Sequence, residues 1–263
     1  MSKRQETDLD VMARELHAWD GEGRPPFDLA KVTAEGPLQF VLPLARWVEG
    51  GCPLYGIPYK TGIIDEGQDV SAIEYVGFAA CVEGELRTYG DPGQAIFLEQ
   101  KGGADGLPYA WTRADDNQEI TGGWRVGDPV ATVASNVLAP YWERSPATFT
   151  APWSTEILVW DGKTRPASGL VLGHSRAYVS KAFTLWHLTD VPVTPGVMAP
   201  LRMSGIHMAK GTEADDVYLL EWSGKHMAAL RRKEGWALRL LYVAMTRARR
   251  RLHMPLSLLM ATV

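Results

Sequence analysis

The chain has 263 residues, of which 46% are apolar and 22% charged, and its net charge is −4. These values are ordinary for a folded protein of one large or two small domains. They exclude a dedicated basic DNA-coating protein, so any contact with nucleic acid is expected to be a local patch. The two distant cysteines favour neither a disulfide framework nor a zinc site. The sequence has no signal-like or membrane-spanning apolar run, which predicts a cytoplasmic protein.

The first part of the chain alternates helix and strand patterns. Leu9, Met12 and Leu16 recur at helical spacing. Residues 98–118 are rich in Gly, Asp and Gln, which predicts a loop or linker. The predicted elements are helices over 8–18, 37–48 and 71–81, a loop over 20–27, a short buried strand Thr61–Ile64 and a second strand Leu86–Tyr89.

The second part of the chain repeats this alternation. The predicted strands are Thr155–Trp160, Gly169–Gly173, Met203–His207 and Asp216–Trp222. The predicted helices are Pro129–Leu138, a segment ending near Trp186 and most of Lys225–Ala248, with a loop over 190–200 and a strand-like tail Met254–Thr262. Strands that alternate with helices predict an α/β fold with a mostly parallel sheet and helices on both faces.

Two acidic residues directly follow the first predicted strand, in the segment Asp65-Glu66-Gly67-Gln68-Asp69. The carboxyl end of a strand is where open α/β sheets bind ligands. One acid in such a place can hold Mg²⁺, and the other can orient the water that attacks a phosphoryl group. A solvated acidic turn is the alternative for an acidic pair taken alone.

Two further segments carry polar groups suited to a nucleotide. Residues 90–97 read Gly-Asp-Pro-Gly-Gln-Ala-Ile-Phe, and composition alone supports only a Gly-Pro turn there. Residues 121–125 read Thr-Gly-Gly-Trp-Arg, and the guanidinium of Arg125 suits the spread charge of a phosphoryl group. A packed aromatic ring beside a surface charge is the alternative for the Trp124-Arg125 pair.

The last two segments lie near the end of the chain. Residues 204–217 read Ser-Gly-Ile-His-Met-Ala-Lys-Gly-Thr-Glu-Ala-Asp-Asp-Val. Residues 240–252 read Leu-Leu-Tyr-Val-Ala-Met-Thr-Arg-Ala-Arg-Arg-Arg-Leu. We interpret the latter as a helix that presents Thr246 and Arg247 at an edge facing a ligand, with Arg250 and Arg251 solvated.

These five segments, in this order, resemble the motifs of UvrD/Rep-type superfamily 1 DNA helicases from the Asp-Glu-x-Gln-Asp motif onward. The resemblance covers roughly residues 55–255. It implies two RecA-like P-loop NTPase motor domains, placed here at 1–117 and 118–263, and ATP-dependent movement on single-stranded DNA, as in DNA repair and replication. One departure is that residues 98–102 replace a stretch whose aromatic ring stacks on a DNA base in the family.

The resemblance also implies roles for the matching side chains, with ATP and Mg²⁺ as cofactors. In the catalytic set, Asp65 holds Mg²⁺, Glu66 activates water, Gln94 senses the γ-phosphate, and Arg125 and Arg247 are its cationic partners. The nucleotide contacts are Trp124, Gly211 and Glu213, and the DNA contacts are Ser204 and His207. A structural role is the alternative for His207.

One part of the family pattern, the phosphate-binding loop Gly-x-x-x-x-Gly-Lys-Ser/Thr, has no match in these 263 residues. Residues 162–164 read Gly-Lys-Thr, but Ile157 stands where the first glycine belongs, and Pro166 disfavours the helix that should follow. We therefore expect an incomplete first motor domain, a chain inactive alone and a partner chain that supplies the loop.

Three hypotheses follow. The first is a helicase portion that works on single-stranded DNA with such a partner. The second is a non-catalytic DNA- or protein-binding remnant of a helicase fold, favoured by the missing loop and the lost aromatic stretch. The third is an unrelated α/β nucleotide-binding protein.

Overall fold

The computed structural model describes residues 8–19, 21–32, 38–51, 58–97, 106–120, 125–139, 153–162, 164–188 and 201–262. The chain forms two compact units, residues 1–117 (the N-terminal unit) and 118–263 (the C-terminal unit). Each unit combines helices with a parallel β-sheet. The predicted α/β fold with mostly parallel sheets is therefore confirmed.

The N-terminal unit pairs two parallel strands and packs three of its helices around an apolar core. Leu16, Leu42 and Ile73, from three different helices, are fully buried in that core. Ser71 and Glu74 form a reciprocal capping box at the start of the third helix, which satisfies backbone donors there. The elements are the helices α1 (Asp8–Ala18), α2 (Leu38–Glu49), α3 (Ala72–Ala80) and α4 (Gly106–Arg113), and the strands β1 (Tyr59–Ile64) and β2 (Val82–Thr88).

Two predictions for this unit are wrong. The first strand is not buried: Tyr59 and Ile63 are 71% and 68% exposed, and only Ile64 is buried. Among the described residues β1 pairs with β2 alone, so it lacks the cover of a central strand. The predicted loop over 98–118 contains α4. Pro108 does not prevent this helix, since it falls in the first helical turn, where proline is tolerated.

The C-terminal unit is built on a five-stranded parallel sheet with the strand order β3-β7-β6-β4-β5. The interior strand β4, which lies between β6 and β5, is buried along its whole length, as expected for an apolar run inside a parallel sheet. The strands are β3 (Glu156–Val159), β4 (Leu170–Gly173), β5 (Arg202–Gly205), β6 (Ala214–Leu219) and β7 (Ala248–Met254). The helices are α5 (Val130–Leu138), α6 (Arg176–Leu188), α7 (Gly224–Arg231), α8 (Gly235–Met245) and α9 (Leu256–Leu259).

The helix predicted over 240–252 is wrong beyond Met245. The chain turns at Thr246 and Arg247 and continues as β7, which lies between β3 and β6. Arginine and leucine favour helices locally, but pairing on both sides and burial of Leu252 and Met254 stabilise a strand. Arg251 is not simply solvated, since its guanidinium donates to both carboxylate oxygens of Asp216.

The remaining differences concern element ends. The helix predicted over Lys225–Ala248 is divided into α7 and α8, and the predicted strand-like tail holds the one-turn helix α9, which buries Leu258. The strand predicted to end at His207 ends at Gly205, and a 3₁₀ turn covers Ile206–Ala209. The loop predicted over 190–200 lies outside the described residues.

Candidate functional site

In the N-terminal unit the loops that follow β1 and β2 are held side by side. The register pairs Ile64 with Thr88, so the two parallel strands end at the same edge of the sheet. Beyond the strands, the Tyr89 N–H donates to the Ile64 carbonyl at 2.8 Å, and the Gly67 N–H donates to the Tyr89 carbonyl at 2.7 Å. The acidic segment and the segment 90–94 therefore begin as neighbours.

The two acids that follow β1 are exposed at this edge. Glu66 has φ 55° and ψ 40°, a left-handed conformation that is costly for a residue with a side chain. Its N–H donates to Oδ1 of Asp65 at 2.9 Å, which holds the turn in place. Both carboxylates are thereby presented to solvent at the carboxyl end of a strand, where a cation with phosphate ligands can approach.

Gln68 bridges the two loops from a fully buried position, and the sequence analysis did not assign it a role. Its amide N–H₂ donates to Oε2 of Glu66, and its amide oxygen accepts from the Asp91 N–H at 2.9 Å. Asp91 in turn accepts from Nε2 of Gln94 at 2.8 Å. The network brings Glu66 and Gln94, both predicted site residues, into one hydrogen-bonded group.

In the C-terminal unit the predicted residues Arg125 and Glu213 meet directly. Nε of Arg125 lies 2.9 Å from Oε2 of Glu213, and Nη1 of Arg249 lies 3.4 Å from Oε1 of the same carboxylate. These side chains are 40% to 46% exposed, so the ion pairs contribute little stability and can exchange partners. Gly211 is exposed, and its φ of 80° strains any substituted residue, although a Cβ there would meet no neighbouring atom within 4 Å.

Arg247 is fully buried, with an exposure of 0%. Its Nε donates to the Val243 carbonyl at 3.0 Å, and Nη2 donates to the Thr246 hydroxyl at 3.1 Å. Nη1 donates to the Thr212 carbonyl at 3.4 Å. The guanidinium thus caps the carboxyl end of α8 and ties it to the segment next to Gly211. In this arrangement it faces backbone oxygens, whereas the sequence analysis placed it at an edge facing a ligand.

Ser204 lies in a groove of about 590 Å³ at the carboxyl end of β5. One wall comes from α6, which contributes Arg176 and Phe183, and Phe183 is 51% exposed. Arg165 and Met208 also line the groove. His207 is not among the residues that line it, so this groove includes only one of the two predicted DNA contacts. The sequence could have predicted Arg176 as a site residue, because it lies three positions after the carboxyl end of β4.

Two sequence segments have no part in a described site. Trp124 and the rest of 121–124 lie outside the described residues. In the Gly-Lys-Thr segment, the Thr164 N–H donates to Oδ1 of Asp161 at 2.8 Å, and its hydroxyl donates to Oδ2 at 2.6 Å. This local turn is not followed by a helix until α6 begins, so the segment lacks the helix amides of a phosphate-binding loop.

Comparison with known proteins tests these observations. Residues 198–258 match the family model of the UvrD-like helicase C-terminal domain. The C-terminal unit therefore contains a segment that is similar to this domain. The match spans β5 to α9 and includes Ser204, His207, Gly211, Glu213 and Arg247. The resemblance to the C-terminal part of these helicases is confirmed by this match.

The sequence matches none of the curated proteins. Among solved structures, the arterivirus nonstructural protein 10 helicase in complex with DNA is similar, with 18% identity, 77% of this chain and 41% of that chain covered, and a TM-score of 0.45. The helicase without DNA has 18% identity, coverages of 77% and 40%, and a TM-score of 0.47. The PRRSV helicase has 16% identity, coverages of 76% and 35%, and a TM-score of 0.45. The chain therefore spans about two fifths of the length of these proteins or less.

Within the described ranges, no helix is both long and apolar enough to cross a membrane. The same residues include no group of three or more His, Cys, Asp or Glu side chains arranged to hold a metal ion. Mg²⁺ is usually held by one or two carboxylates together with substrate phosphates and water. Asp65, as a single exposed carboxylate, is compatible with that mode of binding.

Proposed function

We propose that the chain is a portion of an ATP-dependent DNA helicase that couples ATP hydrolysis to movement on single-stranded DNA. The UvrD-like match over 198–258 supports a helicase-type role. The observation that carries the ATP-dependent part is the network in which Glu66, Gln68, Asp91 and Gln94 are joined. An isolated acidic turn would not need a buried glutamine to tie it to the neighbouring loop.

We assign nucleotide roles to residues of each unit separately. In the N-terminal unit Asp65 would hold Mg²⁺, Glu66 would orient water, and Gln94 would contact the γ-phosphate. Mg²⁺ would supply positive charge at the phosphates when it is bound. Gln68 would keep the carboxylate of Glu66 in one orientation, which favours a fixed water position.

In the C-terminal unit Arg125 is an accessible cation for a phosphate, because its partner Glu213 is half-exposed and can be exchanged for an anion. Gly211 and Glu213 would lie beside the nucleotide. Arg247 would reach a phosphate only after its guanidinium leaves the Thr212 carbonyl. We therefore propose Arg125 as the first cationic contact and Arg247 as a later one.

The groove along α6 fits single-stranded DNA chemically. Arg165 and Arg176 supply positive charge for phosphates, and the half-exposed ring of Phe183 offers a surface on which a base can stack. The Ser204 hydroxyl donates to the Gly205 carbonyl at 3.1 Å and would have to rotate to donate to a phosphate oxygen. This patch is local, as the net charge of −4 requires.

DNA binding is tested by fluorescence anisotropy with a labelled oligo(dT). Phe183→Ala is expected to weaken binding about 10-fold, because base stacking contributes roughly 1–3 kcal/mol. Arg176→Ala should weaken it about 5-fold and reduce the salt dependence. Arg231→Ala, an exposed arginine of α7 that does not line the groove, is the matched control. Equal affinities for all four proteins would contradict this groove as the DNA site.

ATP hydrolysis by the purified chain, with and without the oligonucleotide, tests the motor role. We expect little activity, because this sequence has no match to the phosphate-binding loop. The lysine and backbone amides of that loop would otherwise bind the β- and γ-phosphates. We propose that a partner chain supplies this loop. Activity that disappears in Glu66→Gln would support the motor and contradict the need for a partner.

A non-catalytic binding module is the second candidate, and the burial of Arg247 favours it. This module would bind DNA without hydrolysing ATP even when a protein carrying the phosphate-binding loop is added. The helicase portion would instead gain DNA-stimulated hydrolysis that Glu66→Gln removes.

A further inference from the structure

Two histidine rings are in contact inside the C-terminal unit, with their planes tilted by 46°. His174 directly follows β4 and is 5% exposed. Its ring centroid lies 4.0 Å from that of His226 on α7. Tyr178 on α6 packs against His174 with a centroid distance of 4.5 Å, and Trp236 on α8 lies 5.5 Å from His226. The pair therefore joins the start of α6 to α7 and α8.

This environment does not favour a charged imidazole. Nδ1 of His174 is buried and makes no hydrogen bond within the described part of the chain. Burial is the main cause that lowers the pKa of His174 to about 4, and the nearby His226 and Lys225 lower it further. Burial is also the main cause that lowers the pKa of His226, with smaller contributions from Lys225 and His207. At neutral pH both rings are uncharged and can remain in contact.

Within the part of the chain that the structure describes, aromatic rings, Lys225 and His207 surround the pair, and Glu234 is linked to them. Tyr178 faces it from α6, Lys225 from α7 and His207 from the 3₁₀ turn. Glu234 is linked to the cluster through Trp236, whose Nε1 donates to it at 2.8 Å. Glu234 also accepts from Nε of Arg232 at 2.7 Å, so its carboxylate is already engaged.

The geometry points to a pH-sensitive contact: we propose that the His174–His226 contact holds α6 against α7 while both rings are neutral and is broken when either is protonated. Because the two rings are close together, a positive charge on one imidazole repels the partially positive edge of the other imidazole and any proton bound to it. Arg176 and Val179, both on α6, line the DNA groove, so separation of the rings would displace a groove wall. The proposal concerns the fold of the C-terminal unit and does not depend on ATP hydrolysis.

The sign of the pH effect follows from the lowered pKa. An unfolded histidine takes up its proton near pH 6.5, whereas His174 in the folded chain does so only near pH 4. Between these values the unfolded state binds more protons, so the stability of the unit falls as the pH falls. The folding equilibrium constant of the C-terminal unit is expected to drop on the order of 100-fold over this range through His174.

The test is a pH titration of the histidine Cε1–Hε1 signals of the full chain by NMR, assigned with His174→Phe and His226→Phe. We expect the His174 signal to stay at its neutral position from pH 8 to below pH 5. Hydrogen exchange of the α6 amides, corrected for the intrinsic rate, should show lost protection at pH 4–5 relative to pH 7.5.

The variants separate this contact from general acid unfolding. His174→Phe should remove most of the acid-induced loss of α6 protection, whereas His253→Phe, which removes an imidazole elsewhere in the unit, should leave that loss unchanged. If His174→Phe does not fold, His226→Phe and the wild-type titration decide the question. A His174 signal that titrates near pH 6.5, or α6 protection that is the same at both pH values, would overturn the proposal.

Discussion

Arg247→Ala is expected to lower the free energy of unfolding of the C-terminal unit by about 3 kcal/mol. The guanidinium is fully buried and donates to two backbone carbonyls and a hydroxyl. Truncation leaves the carbonyl of Thr212 without this donor, opens a cavity and removes a positive charge from the end of α8. Urea unfolding, followed by hydrogen exchange of peptides from residues 118–263, measures the change.

Two further substitutions define the origin of this effect. Arg250→Ala is the matched control, because that side chain is 74% exposed on β7 and its nearest acid is 3.9 Å away; we expect a change within about 0.5 kcal/mol. Arg247→Lys should recover only part of the loss, since one ammonium group cannot reproduce the planar set of donors. If Arg247→Ala lowers the free energy of unfolding no more than Arg250→Ala does, the buried contacts do not stabilise the unit.

Gln68→Ala is expected to lower the free energy of unfolding of the N-terminal unit by about 2 kcal/mol. The amide is buried, and its removal leaves the Asp91 N–H without its acceptor and releases the Glu66 carboxylate. The loops after β1 and β2 would then be joined by fewer hydrogen bonds. We expect faster hydrogen exchange in both loops, measured on peptides that cover 64–71 and 88–97.

The control for Gln68 is Gln94→Ala in the same network. Gln94 is only half-buried and donates to Asp91 within its own loop, so its loss should cost no more than about 1 kcal/mol and leave the first loop protected. Gln68→Glu keeps an acceptor for the Asp91 N–H but places a second carboxylate beside Glu66. It should therefore be less stable than wild type at pH 7. Unchanged exchange in both loops of Gln68→Ala would contradict the bridging role.

Much of the fold could be predicted from local patterns. The helix from Asp8 to Ala18 follows apolar spacing, and β4 follows an uninterrupted apolar run. The candidate residues of the N-terminal unit were also accessible to sequence reasoning, because they follow directly after strands. Gln68 stands in the same segment, but its bridging role could not be predicted, since it comes from burial and from a hydrogen bond to a residue 23 positions away.

The largest error, at residues 246–254, has a different cause. Local helix propensity continues through Arg247 and the arginines that follow, and nothing nearby in sequence opposes it. Two neighbouring strands, β3 and β6, provide backbone partners that a helix could not use. The same turn buries Arg247, so an error in one element changed the expected position of a site residue.

The sequence by itself determined the parallel α/β class, the order of most elements and the helicase resemblance, because short-range periodicity and motif spacing carry that information. Only the tertiary structure decided which side chains meet. The Gln68 bridge, the Arg125–Glu213 pair and the His174–His226 contact each join residues that are far apart along the chain or belong to different elements. Such contacts depend on strand register and burial, which are set by the packing of the whole unit and cannot be read from a local segment.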